Sequence, residues 1–145
     1  MSRLWSPLMT PRVVLVENDE ILAGVIRYNL EVLGATVACF HDGQTALQGL
    51  VSDPPDLVIL NWGLPRLSGI EVLRQIRAYP PTRQVPILML TSRTEPRDRR
   101  RAMSAGAHAF VGKPFSINTL METIAVTLES RVTDRLAATG ATGVD

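Results

Sequence analysis

"DLVILNWGLPRLSGIEVLRQIR", Asp56 to Arg77, holds a strand, a turn and a helix in one stretch. Four apolar residues, Leu57 to Leu60, run straight into Asn61. A short, wholly apolar run behind the breaker Asp53-Pro54-Pro55 reads as a strand buried on both faces. Trp62-Gly63-Leu64-Pro65 makes a tight turn, and Ile70, Leu73, Ile76 and Arg77 then follow at helical offsets. The unit is strand–turn–helix, with a polar residue where a buried strand presents a reactive group. That residue is an amide, which is a poor nucleophile and a poor base.

The same pattern repeats on both sides. "RVVLV" (Arg12 to Val16) is a short β-branched strand. "ILAGVIRYNLEVLG" carries Ile21, Leu22, Val25, Ile26, Leu30 and Leu33 at helical spacing, with Gly34 as a stop. "ATVACF" is the second strand, and "DGQTALQGLV" a helix with Asp42 as N-cap. "VPILML" is the fourth strand. "EPRDRRRAMSAGA" is a helix with Pro96 in its first turn and Gly106 near its end. "HAFVG" is the fifth strand, and "SINTLMETIAVTLESRV" a helix capped by Ser116. Continuous apolar strands alternating with helices predict a doubly wound α/β fold: a five-stranded parallel sheet between two helical layers. The domain is expected to span 12–131, with an N-terminal extension at 1–11 and a small, polar tail or linker stub at 132–145. Trp5, in the extension, is expected to pack on the body.

The 145 residues suit one domain with a full core. No apolar run approaches the roughly 18 residues of a membrane span, and "MSRLWSPLM" does not read as a signal peptide. A single cysteine, Cys39, excludes an internal disulfide framework and a multi-cysteine metal site. A cytoplasmic protein is expected from these absences. A net charge of +1 argues against a globally basic nucleic-acid binder. The cations are fourteen arginines and one lysine, Lys113. A lone amine in a chain that otherwise uses arginine draws attention to its chemistry.

In doubly wound folds ligands bind at the carboxyl ends of the strands, near the switch in strand order. Glu17, Asn18 and Asp19 follow the first strand, Asn61 ends the third, Thr91 and Ser92 follow the fourth, and Lys113-Pro114 follow the fifth. Acid, amide, hydroxyl and amine converge on one rim. A flavodoxin-like cofactor binder would need a phosphate loop after the first strand, where "ENDE" is acidic. No G-x-G-x-x-G is present for a dinucleotide. No serine elbow or Cys-His pair offers hydrolase chemistry.

The pieces "VLVEND", "DLVILNWGLPRLSGIEVLRQIR", "VPILMLTS" and "GAHAFVGKPF", in this order and spacing, resemble the CheY-like receiver domain of two-component response regulators over Arg12 to Arg131. The resemblance implies a signalling module, not an enzyme, with protein partners: a histidine kinase, an output domain or another signalling protein. It implies that an acidic pair after the first strand helps hold Mg²⁺, and that Glu17 and Asn18 occupy those positions. It gives Asn61 the place of the aspartate that takes the phosphoryl group. Thr91 takes the place of the hydroxyl that binds phosphoryl oxygens, Lys113 that of the lysine that pairs with them, and Phe110 that of the switch aromatic. The carbonyl of Gly63 falls at a main-chain metal ligand, and the Lys113–Pro114 bond is cis in many members, as X-Pro bonds permit. The chemistry has physical reasons. Mg²⁺ prefers oxygen ligands, among them one or two carboxylates, and phosphoryl transfer rests on positioning and on neutralising the equatorial oxygens.

Asn18 and Asn61 depart from the family. A neutral amide oxygen does not usefully attack phosphorus, and the cation site loses two formal charges. Each such contact pair is worth roughly 4 kcal/mol before desolvation at an effective dielectric of about 20. Asp19 does not compensate, because the helical register turns its side chain elsewhere. Mg²⁺ is expected to bind weakly or not at all, no other cofactor is expected, and Lys113 is expected to contact Glu17 or Asn61. Three readings of Asn61 stand: a natural pseudo-receiver that signals without phosphate, an engineered Asp→Asn block in a phosphorylatable receiver, or drift to a structural role. The second asparagine at 18 favours the first, since one engineered change does not explain both.

"RDRRRA" sets Arg97, Arg99, Arg100 and Arg101 on the fourth helix. They form a solvated face or, with the fifth strand and helix, a docking surface for an acidic partner. No interleaved aromatics favour nucleic acid. The acidic positions that dimerise the winged-helix subfamily read His108 and Ala109 here, and the fifth helix carries Thr119, Glu122 and Thr123 with no Arg or Lys before Arg131. A monomer or weak dimer is expected, with His108 in a surface or packing role. Trp62 shields the pocket or is an ordinary turn aromatic.

Overall fold

The computed structural model describes Trp5 and residues 10–138, with side chains through Ser130. β1 (Arg12–Val16), α1 (Glu20–Val32), β2 (Thr36–Phe40), α2 (Gly43–Ser52), β3 (Leu57–Asn61), α3 (Gly69–Ala78), β4 (Ile87–Thr91), α4 (Pro96–Ala105), β5 (Ala109–Gly112) and α5 (Ile117–Ala138) follow in order, with a 3₁₀ turn at Pro80–Thr82. The five strands form one parallel sheet in the order β2-β1-β3-β4-β5. The chain steps outward from β1 to β2, then crosses back to β3 on the other side of β1. The carboxyl ends of β1 and β3 therefore flank the switch point, where such sheets open a crevice. Among the described residues no helix is long and apolar enough to cross a membrane.

Alternate strand residues fill two cores, as period-two geometry requires. Val13, Leu15, Leu57, Ile59, Leu88, Leu90 and Val111 pack beneath α1 and α5. Val14, Val16, Val58, Leu60, Ile87 and Met89 pack on the α2–α3–α4 side. β3 and β4 are buried along their whole length. The helices start on side-chain caps: Asp19 on α1, Asp42 on α2 and Ser68 on α3. Ser116 Oγ accepts from Thr119 N at the head of α5. α4 ends on Gly106 in the left-handed region, φ 116°.

Two sequence expectations change, and the one for Trp5 holds. Ile21 and Val25, read with the apolar residues of the first helix, lie at 83% and 46% exposure, and Ala23, Ile26 and Leu30 form the buried face. α1 is apolar on both sides, so periodicity alone does not choose the side that meets the sheet. α5 runs on through Ala138, past the expected boundary at 131. Of the expected tail, 139–145 lies outside the described residues. In the N-terminal extension Trp5 is buried at 8% exposure within the α1–α5 core. Residues 1–4 and 6–9 lie outside the described residues.

Gly69 fixes how α3 seats on the end of β3. A Cβ there would run into the Asn61 carbonyl and the Trp62 Cα, whereas one at Gly24 on α1 would meet open space. Gly69→Ala is expected to lower stability by about 1–3 kcal/mol, and Gly24→Ala to raise it by roughly 0.5–1 kcal/mol. Urea denaturation of the two variants reads both signs.

Candidate functional site

Three strand ends meet in one pocket. The residue after β1, Glu17, is 1% exposed, and a carboxylate that deep requires partners. Its Oε1 accepts from Lys113 Nζ at 2.8 Å. Its Oε2 accepts from the Asp19 backbone N–H at 3.0 Å and from Asn61 Nδ2 at 3.2 Å. The expected Lys113 contact is thus present, and it goes to Glu17. Asp19 itself turns away, as the register implied: its carboxylate accepts from Ile21 N and Leu22 N as the α1 cap.

Asn61, 7% exposed, donates from Nδ2 to Asn18 Oδ1 at 2.7 Å and faces the Gly63 carbonyl at 3.5 Å. An amide NH₂ has two hydrogens, so the shorter contacts to Asn18 and Glu17 take them and the Gly63 contact is the weak one. Rotating the Asn18 amide brings its nitrogen to 3.2 Å from Glu17 Oε2 and 3.3 Å from the Gly63 carbonyl. Its 2.7 Å approach to Asn61 then requires that amide to turn as well. In either arrangement amide N–H groups face Glu17 and Gly63.

The remaining rim is held by its own loops. Thr91 is 2% exposed, its Oγ1 accepts from Arg93 N at 2.9 Å, and its carbonyl accepts from Lys113 N at 2.8 Å. The Lys113–Pro114 bond is cis. Phe110 packs half-buried on the α4 side of the sheet, with the Arg99 guanidinium 5.6 Å above its ring.

A family model for the response regulator receiver domain matches residues 13–125. The chain belongs to this family. It is similar to the phosphate regulon transcriptional regulatory protein PhoB of Rhizobium meliloti (strain 1021), 44% identical over 113 residues, covering 78% of this chain and 50% of that protein. It is also similar to the response regulator MprA of Mycobacterium ulcerans (strain Agy99), 37% identical over 113 residues, covering 78% and 48%. The chain spans about half the length of these curated relatives. Among solved structures it resembles the receiver domain of sensor histidine kinase PA1611 from Pseudomonas aeruginosa PAO1, with 29% identity, TM-score 0.76 and coverage of 83% and 99%. The chemotaxis response regulator CheY4 of Vibrio cholerae gives 26%, TM-score 0.78 and coverage of 82% and 99%. The molecule is a receiver domain of the two-component response-regulator type.

The PA1611 structure has a magnesium ion coordinated in its active-site cleft. The residues at the corresponding rim here do not fit that ion. Among the described residues no group of three or more His, Cys, Asp or Glu could hold a metal. One carboxylate faces the pocket, and both of its oxygens are engaged.

The arginine run divides on inspection. Arg101 and Arg93 lie 5.6 and 5.0 Å from the ring of Trp62, which is 4% exposed, and Arg97 pairs with Glu95 at 3.0 Å. Trp62 therefore packs in the core and carries two guanidinium groups on its faces, a role that periodicity does not reveal. Nothing local in the sequence distinguishes Arg93 from an ordinary loop residue. His108 Nδ1 lies 3.1 Å from Arg77 Nη2 and 3.3 Å from the Ile87 N–H, a packing role. Thr119, Glu122 and Thr123 line a groove of about 380 Å³ with His108 and Val126. Cys39 is partly buried, and desolvation pushes its thiol up, so it behaves as an apolar residue.

Lys113→Ala is expected to cost about 2–4 kcal/mol, because it leaves a buried carboxylate without its counter-charge. Lys113→Ala with Glu17→Gln is expected to cost less than the sum of the singles. Urea denaturation of the four proteins checks it. In a Trp5→Phe background, Arg93→Ala and Arg101→Ala are expected to shift the fluorescence of Trp62, and Arg100→Ala to leave it unchanged.

Proposed function

We propose that this receiver domain is a pseudo-receiver: a protein-interaction module that does not take a phosphoryl group at residue 61 and signals independently of phosphate. The observation that carries the reading is the environment of Asn61. The group at the acceptor position is a neutral amide, hydrogen-bonded to the Asn18 amide 2.7 Å away beside the buried Glu17 carboxylate, and it offers no oxyanion to attack phosphorus. One further feature supports it. Lys113 is already paired with Glu17, and a phosphoryl group would have to compete for it.

The module works through protein partners, a histidine kinase, an output domain or another signalling protein, on the face built by α4, β5 and α5. On that face Arg97, Arg99, Arg100 and Arg101 are exposed, which suits an acidic partner surface; Arg99 and Arg101 also lie over the rings of Phe110 and Trp62.

Incubation with acetyl phosphate and Mg²⁺, followed by intact-mass measurement, tests the reading. No phosphoryl adduct is expected on the native chain. An adduct is expected on Asn61→Asp combined with Asn18→Asp, which restores an attacking carboxylate and a cation ligand. An adduct on the native chain would sink the proposal. An adduct on Asn61→Asp alone, at the rate of the double variant, would favour a phosphorylatable receiver blocked at one position.

A further inference from the structure

We infer that the paired amides of Asn18 and Asn61 take over the task of the divalent cation: they gather the pocket oxygens by hydrogen bonding and make the assembled site independent of metal. This rests on the reading of the rim as the receiver pocket, and not on whether a phosphoryl group is ever carried.

The geometry is that of a hub. Asn61 Nδ2 lies 3.2 Å from Glu17 Oε2, 2.7 Å from Asn18 Oδ1 and 3.5 Å from the Gly63 carbonyl. These oxygens come from the loop after β1 and the turn after β3. With both amides rotated, the Asn18 nitrogen takes the same place at 3.2 Å from Glu17 Oε2 and 3.3 Å from the Gly63 carbonyl, so in either rotation one amide nitrogen ties the two sides of the switch point. Oxygens brought this close repel unless something positive stands between them. In this pocket N–H dipoles stand there.

The charge count points the same way. Glu17 and Lys113 form a 2.8 Å pair and cancel. Asn18 and Asn61 are neutral, and Asp19 spends its carboxylate on the α1 cap. The pocket is balanced as it stands. A divalent ion would place unopposed positive charge beside the Lys113 ammonium. It would also share Glu17 with Lys113, the Asp19 N–H and an asparagine amide, which already occupy three of the carboxylate's roughly four acceptor sites.

Asn61→Asp is therefore not a simple restoration. It removes the Asn61 NH₂ and sets a carboxylate against Glu17 Oε2, acceptor facing acceptor, with only the rotated Asn18 amide to donate between them. The variant gains a need for a cation that the native chain does not have.

Thermal unfolding of the full chain and of Asn61→Asp, each in chelator and in MgCl₂ with NaCl matched for ionic strength, tests this. The native Tm is expected to be the same in both. The variant is expected to melt several degrees lower in chelator and to recover most of that loss in Mg²⁺. A native Tm that rises specifically with Mg²⁺, or a variant as stable as the native chain in chelator, would overturn the inference. If the variant does not fold, Mn²⁺ titration of the native chain by NMR decides. Absence of selective broadening at Glu17, Asn61 and Gly63 upholds the inference, and broadening centred there overturns it. A native chain that binds the cation yet takes no phosphoryl group would defeat this inference and leave the proposed function standing.

Discussion

A carboxylate at 1% exposure is the constraint around which this site is built. Glu17 leaves the water at the end of β1, and burying a charge is costly unless it is paired and hydrogen-bonded. The donors come from three places. Lys113 follows β5, Asn61 ends β3, and the Asp19 amide opens α1. Satisfying one side chain thus pulls together the carboxyl ends of three strands, β1, β3 and β5. The position of Lys113, the direction of the Asn61 amide and the turn into α1 all answer to it.

The pocket is also joined to the first turns of α4. Trp62 is covalently next to Asn61, sits in the core, and carries Arg93 and Arg101 on its faces. Arg93 N also holds the Thr91 hydroxyl. The loop after β4, the first turns of α4 and the turn after β3 are therefore one packed unit. Each cation–π contact at a partly exposed site is worth only about 0.5–1 kcal/mol, so the unit is held by packing of Trp62 with the arginines as trim.

Much of this was legible in the sequence, and the reasons are physical. β3 reads clearly because Leu57 to Leu60 are apolar without interruption, which a strand covered on both faces demands. The rim residues follow from the rule that parallel sheets present their carboxyl ends together, and the Glu17–Lys113 pair follows once the sole lysine and a buried acid share that rim. Three things were not legible. The exposed side of α1 was hidden because Ile21 and Val25 are as apolar as Ile26 and Leu30. The length of α5 was hidden because "TDRLAA" gives no stop signal of the kind that Gly34 and Gly106 give. The arginines on Trp62 were hidden because contacts between two loops leave no local pattern. The identity of Asn61 was plain, but the direction of its amide was not: that depends on which neighbours lack a donor.

The central claim is that amide hydrogen bonds stand in this pocket where a cation and a phosphoryl group would otherwise act. A crystal grown with Mg²⁺ and beryllofluoride addresses it at atomic level. The expected result is a pocket unchanged from that described, with the Asn61 amide within hydrogen-bond reach of Glu17 and Asn18, Lys113 still on Glu17, and no ion or beryllofluoride density at residue 61. A magnesium ion bound to Glu17 and the Gly63 carbonyl, with Lys113 swung onto a beryllofluoride at Asn61, would contradict it.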